Sequence, residues 1–209
     1  MASKSNIKSI IFDMGGVILD INAKDTFSIP AALSVLFNIT TDQAQQIWVN
    51  CDQNKILTGQ ETPNQFLTRI ADILKIKINS QALLKQWTKL SLKDKNCINW
   101  QMMDFISDLH KTYKVYILGD TVNVAQDDNL TQTLKSKFDD YFVSYEQGFK
   151  KPDKKAFLNI LSKINSKPAE CIFIDDTEKN IIAANQLGIK SFLYKNLKQL
   201  KSDLFFLYI

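Results

Sequence analysis

Five short apolar segments alternate with helical sequence along this 209-residue chain, and that alternation constrains its fold more than any other feature. Each segment is rich in β-branched and aromatic residues and is bounded by polar residues, which is typical of a buried strand. Near-continuous apolar strands separated by helices predict an α/β fold with a doubly wound, mostly parallel sheet. The predicted strands are Ile7–Phe12, Lys114–Leu118, Tyr141–Ser144, Cys171–Ile174 and Ser191–Tyr194.

Helical periodicity fills the long region between the first two predicted strands. Thr62 and Pro63 predict the start of a helix over Asn64–Leu74, because threonine caps a helix well and proline suits its first turn. Ser80 is predicted to cap the next helix. Apolar residues of the first helix recur at helical spacing and predict its buried face: Phe66, Ile70 and Ile73.

The chain is long enough to bury a sizeable core, and its apolar fraction of 45% is ordinary for a globular protein. The strands and helices on either side of the helical region form one alternating pattern. We therefore predict a core built from residues 1–20 and 95–209, with residues 21–94 inserted as an α-helical unit.

The arginine content and the short apolar stretches of the chain argue against two classes of partner. The chain has 26 basic and 22 acidic residues, but its only arginine is Arg69, and proteins that read nucleic acid sequence rely heavily on arginine. We therefore expect no nucleic-acid partner. The longest apolar stretches are far shorter than the about 20 residues that span a bilayer, and no apolar leader follows the polar N-terminus. We therefore expect no membrane partner.

Three cysteines are present, at positions far apart and without a CxxC pair or paired histidines. This pattern supports neither a zinc site nor a disulfide framework. A reducing compartment is the simpler interpretation, and a cytoplasmic location is predicted.

Polar groups follow the predicted strands, where the ligand crevice of an open α/β sheet lies. Several carboxylates gathered there would repel one another unless a cation neutralised them. Carboxylate oxygens suit Mg²⁺, and a lysine beside them can pair with a phosphate oxygen. The residues at these strand ends are Asp13, Gly119, Asp120, Thr121, Lys151, Asp175 and Asp176.

The same segments resemble the motifs of the haloacid dehalogenase-like (HAD) superfamily. Residues 10–20, Ile-Ile-Phe-Asp-Met-Gly-Gly-Val-Ile-Leu-Asp, resemble its first motif, and residues 115–121 lie where its second motif is expected. Residues 148–153, Gly-Phe-Lys-Lys-Pro-Asp, resemble the third motif. Residues 171–177, Cys-Ile-Phe-Ile-Asp-Asp-Thr, resemble the fourth together with the residues that follow them, Asn180, Ala183, Ala184 and Gly188. The resemblance implies a Rossmann-like core, and the insertion at 21–94 lies where the family places an α-helical cap.

The resemblance also implies roles for individual residues. Asp13 matches the nucleophile that forms an aspartyl-phosphate, and Lys151 matches the lysine that orients it and offsets phosphate charge. A Mg²⁺ ion is implied as cofactor. The residues matching its ligands are Asp13, Gly15 through its carbonyl, Asp175 and Asp176. The residues matching the phosphate-binding positions are Gly119, Asp120, Thr121 and Lys151.

Two positions depart from the family pattern. Gly15 stands where most phosphatases of the family carry an aspartate as general acid, although a branch with Asp-x-Gly-x-Val is similar. Gly119 stands where a serine or threonine hydroxyl usually holds phosphate, and Asp120 adds negative charge beside it. These departures leave open a catalytically impaired protein of the same fold with a binding or regulatory role.

The leading hypothesis is a Mg²⁺-dependent phosphatase acting on a small phosphorylated metabolite, as a monomer or a homodimer. A haloacid-type dehalogenase fits less well. Such enzymes work without metal and typically bind a carboxylate with arginine, whereas Arg69 lies within a helix of the insertion and is predicted to be an exposed surface charge.

Overall fold

The core of the protein is a five-stranded, all-parallel sheet with the order β3-β2-β1-β4-β5, which confirms the predicted α/β fold. The computed structural model describes residues 6–20, 28–91, 97–124 and 129–208. β1 is central and its four residues are buried, because strands flank it on both sides. The strands are β1 (Ser9–Phe12), β2 (Lys114–Gly119), β3 (Asp140–Val143), β4 (Cys171–Asp175) and β5 (Lys190–Leu193).

Helices cover both faces of the sheet. Ile10 and Phe12 of β1 pack in one cluster with residues of α6, α7 and α11, whereas Ile11 packs in a second cluster with α9 and α10. This alternation follows from the two-residue period of a strand. The helices are α1 (Ile29–Phe37), α2 (Thr41–Asn50), α3 (Gln53–Leu57), α4 (Pro63–Leu74), α5 (Ser80–Ser91), α6 (Trp100–Leu109), α7 (Asn129–Lys137), α8 (Ser144–Gln147), α9 (Lys154–Lys163), α10 (Glu178–Gln186) and α11 (Leu197–Asp203).

The helices α1–α5 follow β1 and precede β2, and we call them the helical block. They enclose a hydrophobic cluster separate from those of the sheet, in which Phe66 contacts the rings of Trp48 and Trp87 at centroid distances of 6.0 and 5.8 Å. The predicted boundaries at 20/21 and 94/95 adjoin or fall within residues 21–27 and 92–96, which lie outside the described residues.

Two local predictions within the helical block are wrong. Ile73 is 51% exposed, because the buried face of α4 is formed by Phe66, Leu67, Ile70 and Ala71 and continues to Leu74, which packs against the cluster. Ser80 is the first residue of α5 rather than its cap. The carboxamide of Asn79 takes that role and accepts a hydrogen bond from the Ala82 amide at 3.0 Å.

The chain beyond β5 packs onto the sheet core. Leu204 is fully buried, and Phe206 stacks on Phe192 with ring centroids 6.2 Å apart. Tyr113 Oη donates a hydrogen bond to the Leu207 carbonyl at 3.0 Å. Among the described residues, no helix has the length and apolar character needed to cross a membrane.

Candidate active site

Asp13 follows β1 directly, at the carboxyl edge of the sheet. Its amide donates a hydrogen bond to the Ile174 carbonyl of β4 at 2.8 Å, which fixes the backbone where the strand ends. The residue is only 8% exposed. The central position of β1 therefore places one carboxylate in a buried position between β2 and β4.

The side chain of Lys151 bonds to this carboxylate and links it to the neighbouring strands β2 and β4. Its ammonium Nζ is bonded to Asp13 Oδ1 and donates to Asp175 Oδ2 at 3.0 Å. The third hydrogen bond goes to the carbonyl oxygen of Leu118 at 2.8 Å, at the end of β2. The side chain is 1% exposed, and all three ammonium protons therefore have partners within the protein.

Burial and charge shift the pKa values of this pair. Burial raises the pKa of Asp13 to about 7, while Lys151 opposes that rise and Asp175 adds to it. Burial alone would lower the pKa of Lys151, but the carboxylates of Asp13 and Asp175 outweigh burial and raise it. Lys151 is therefore a permanent cation. A divalent cation beside Asp13 would favour its ionised form further.

Asp175 is the end of β4 and is completely buried. Besides Lys151, it accepts hydrogen bonds from the Thr177 amide at 2.8 Å and from Asn180 Nδ2, which lies 3.1 and 3.0 Å from its two oxygens. Hydrogen bonds of this kind fix the orientation of the carboxylate. Asn180 is buried in the first turn of α10, five residues after the end of the strand.

A third carboxylate completes a cluster at this edge. One carboxylate oxygen from each of Asp13, Asp175 and Asp176 can be chosen so that all lie within 4.8 Å of one another. Asp176 is exposed, whereas the other two are buried. The group therefore offers hard oxygen ligands from two adjacent strand ends, with one ligand facing solvent, and such a donor set suits Mg²⁺.

Gly16 allows Asp176 to approach the turn that follows Asp13. A Cβ atom at Gly16 would lie 1.9 Å from Asp176 Oδ2, and the φ of Gly16 is +79°. Both facts require glycine at this position. Gly15 precedes it on the same turn and forms a β-bridge with Leu19. The role of the Gly15 carbonyl as a metal ligand stays a prediction.

The segment after β2 is held by hydrogen bonds to residues in the chain that follows β3. Asp120 Oδ1 accepts a hydrogen bond from the Lys151 amide at 3.2 Å, and burial raises the pKa of Asp120. Ser144 Oγ accepts from the Thr121 amide at 3.0 Å and donates to the Thr121 carbonyl at 3.2 Å. These bonds fix the backbone of the predicted phosphate-binding residues, although a hydroxyl is missing at Gly119.

Gly119 packs against the side chain of Met14. A Cβ at Gly119 would lie 3.2 Å from Met14 Cβ and 3.4 Å from its Cε. The methionine sulfur lies 3.5 Å from the hydroxyl of Tyr141, which donates to it. The close side-chain contact accounts for the small residue at the end of β2.

Two residues of this arrangement received no role from the sequence. Asn180 belongs to the segment that resembles the fourth motif, but only the fold shows that it holds Asp175. Ser144 was predicted as the last residue of a strand. It is a polar group at a strand end, the same signal that identified Asp13 and Asp175, so that signal was sufficient to find it.

Comparison with known proteins assigns the family. A model described as haloacid dehalogenase-like hydrolase matches residues 7–188. The chain belongs to the haloacid dehalogenase-like hydrolases.

Relatives cover nearly the whole of this HAD-like hydrolase. A D-ribitol-5-phosphate phosphatase of Bacteroides thetaiotaomicron is 25% identical over 198 residues, which are 91% of this chain and 93% of that protein. A HAD-like hydrolase structure from Porphyromonas gingivalis has a TM-score of 0.75 at 22% identity, covering 95% of this chain and 98% of the other. A HAD-family enzyme of Bacteroides thetaiotaomicron, in complex with magnesium and inorganic phosphate, has a TM-score of 0.73 at 22% identity, covering 93% and 98%.

The sole arginine of this HAD-like hydrolase is already paired, and the prediction of an exposed surface charge is wrong. Arg69 donates from Nε and Nη2 to the two oxygens of Glu61 at 2.7 and 2.6 Å, and from Nη2 to the Asp52 carbonyl at 3.2 Å. Its guanidinium also lies over the ring of Phe66, 5.3 Å from the centroid. A bidentate pair of this geometry leaves Arg69 committed to the helical block rather than to a substrate carboxylate.

Proposed function

We propose that the protein hydrolyses a small phosphorylated metabolite through an aspartyl-phosphate on Asp13. The observation that carries this proposal is the placement of the Asp13 carboxylate at the end of the central strand, bonded to a buried lysine beside two further carboxylates. An Asp13 oxygen bonds to phosphorus while the bond to the leaving oxygen breaks. Water then attacks phosphorus, releases inorganic phosphate and restores the carboxylate.

Lys151 has two functions in this proposal. Its bond to Asp13 Oδ1 holds that carboxylate in place, and its bonds to Leu118 and Asp175 fix the ammonium itself. Its charge also offsets the negative charge of the phosphoryl group. Phosphoryl transfer depends chiefly on such positioning and charge neutralisation.

We further propose that Asp13, Asp175 and Asp176, with the Gly15 carbonyl, hold a Mg²⁺ ion. Lys151 is a single cation among several carboxylates, so the cluster carries an excess of negative charge that a divalent ion would neutralise. When bound, Mg²⁺ supplies charge stabilisation to the phosphoryl oxygens. The magnesium and phosphate in the complex of the Bacteroides enzyme support this assignment.

The backbone after β2 supplies the proposed phosphate site, with the amide of Asp120 as a donor. We propose that residues 21–94, which contain the helical block, form a cap over the active site and select the substrate. Its separate hydrophobic cluster and its position between β1 and β2 support that role. A cytoplasmic location and a monomeric or homodimeric state stay predictions.

Metal removal is the first test. The purified protein is expected to hydrolyse p-nitrophenyl phosphate in Mg²⁺ buffer and to lose about 100-fold or more of that activity in EDTA, because the cation contributes several kcal/mol of charge stabilisation. Adding Mg²⁺ back should restore turnover. The rate of p-nitrophenolate release gives the measurement.

Other outcomes would favour the alternatives. Binding of Mg²⁺ and phosphate by calorimetry without turnover would indicate a catalytically impaired binding protein, as Gly15 and Gly119 allow. Chloride release from a 2-chloroacid in EDTA would instead indicate a dehalogenase. Turnover that is equal with and without metal would contradict the proposal itself.

The close contact between Gly16 and Asp176 predicts a specific metal-binding defect. In Gly16→Ala, the added methyl group must displace the Asp176 carboxylate, and calorimetry should show Mg²⁺ affinity lowered about tenfold or more, as for other groups that orient a metal ligand. Gly188→Ala is the matched control. Its φ is +84°, but a Cβ there meets only Pro168 Cβ at 3.7 Å. Equal Mg²⁺ affinity in the two variants would argue against Asp176 as a ligand.

A further inference from the structure

The segment that follows β2, Asp120–Val124, connects the candidate active site to the helical block, and we call it the β2 loop. Its first residue accepts the Lys151 amide, and its second is held by Ser144. Two further residues, Val122 and Val124, pack against the hydrophobic cluster of the helical block. Within five residues, the chain therefore passes from the neighbourhood of the buried lysine into the core of the block.

One hydrogen bond fixes the far end of this loop. Thr88 lies on α5, and its hydroxyl is shared between the Leu84 carbonyl at 3.0 Å and the Val124 carbonyl at 3.1 Å. The first contact is the ordinary one of a helical threonine with the preceding turn. The second joins the helical block to the β2 loop.

A second contact joins the helical block to the chain that follows β3. Gly59 ends the turn after α3, and its φ is +70°. A Cβ there would lie only 2.2 Å from the carbonyl oxygen of Tyr145, so the two backbones are in close contact. Tyr145 directly follows Ser144, which holds Thr121. Both contacts of the block therefore reach the residues that shape the β2 loop.

We infer that Thr88 is a positioning residue that lets the docked helical block hold the β2 loop in its phosphate-binding conformation. The inference rests on the proposed function, because it assigns the β2 loop to phosphate. Gly119 provides no hydroxyl, so the contribution of this end of β2 to phosphate binding comes from backbone amides, and amides bind well only when their loop is held rigid. Thr88 supplies that restraint without contacting the substrate.

The chain contains a matched pair of threonines for the test. Thr68 is exposed on α4, and within the described ranges its hydroxyl donates only to the Asn64 carbonyl at 3.0 Å, so it has the helical contact of Thr88 without the contact to the loop. Thr88→Val should raise KM for p-nitrophenyl phosphate and the Kd of inorganic phosphate in Mg²⁺ by about three- to tenfold, as one net hydrogen bond allows. Thr68→Val should leave both unchanged, and kcat should change little in either variant.

Hydrogen exchange provides a readout that does not depend on turnover. The peptide covering residues 119–124 should exchange faster in Thr88→Val than in Thr68→Val, at equal thermal midpoints. Gly59→Ala, which pushes the block away from Tyr145, should act in the same direction, whereas Gly188→Ala has similar backbone strain and should not. Equal exchange and equal phosphate Kd in the two threonine variants would overturn the inference. Absence of metal-dependent turnover in the wild type, with the difference in exchange intact, would overturn only the proposed function.

Discussion

Asp13→Asn is expected to lower phosphatase kcat by roughly 10⁴-fold or more, the scale seen when a covalent enzyme loses its nucleophile. The amide oxygen of asparagine carries no charge and does not form an aspartyl-phosphate. KM should change little, because Lys151 and the β2 loop remain in place. The measurement is steady-state hydrolysis of p-nitrophenyl phosphate in saturating Mg²⁺.

The fold should survive this change, since asparagine fills the same volume and still accepts a hydrogen bond from Lys151. Asp108→Asn is the control, because that carboxylate lies on the surface and pairs with Lys111 at 2.7 Å. Acid quench of the wild type during turnover should leave one added phosphoryl group on the peptide containing Asp13. Activity within tenfold of wild type in Asp13→Asn would refute its role as nucleophile.

The order of strands and helices could be predicted because each element carries its own signal. Ile10, Ile11 and Phe12 make β1 an apolar run, since helices cover both faces of the sheet at this central strand. Thr62 with Gln65 forms a capping box at the start of α4. Ile73 was misassigned because several apolar residues of α4 can be grouped into a helical face, and the one that is buried continues through Ala71 to Leu74 instead. Ser80 was misassigned because an adjacent asparagine makes the capping bond instead.

The location of the candidate site was likewise predictable, because the carboxyl ends of parallel strands share one edge. The hydrogen bonds within the site could not be predicted. No local pattern shows that Lys151 reaches three groups on three strands, or that Asn180 holds both oxygens of Asp175. The pairing of Arg69 with Glu61 has the same explanation, because the turn before α4 brings together residues eight positions apart.

The central position of Lys151 makes it a residue whose loss should affect stability and activity together. Removing one partner of a buried ion pair leaves uncompensated charge and costs about 3–5 kcal/mol. In Lys151→Met, the buried carboxylates of Asp13 and Asp175 lose the one cation that pairs with them in the part of the chain that the structure describes. For a chain of this length such a loss lowers the thermal midpoint by roughly 10 °C, and kcat should fall about 10²–10³-fold with it.

Mg²⁺ should offset part of this destabilisation, because the cluster without lysine carries more negative charge and binds a divalent cation more tightly. Calorimetric unfolding with and without Mg²⁺ should therefore show a larger metal-induced rise in midpoint for Lys151→Met than for the wild type. Lys150→Met is the matched control. Its lysine neighbours Lys151 but makes none of the three buried bonds, so midpoint, metal response and kcat should stay close to wild type. If Mg²⁺ raised the midpoint equally in wild type and Lys151→Met, the lysine and the metal would not act on the same carboxylates, and the proposed metal site would have to lie elsewhere.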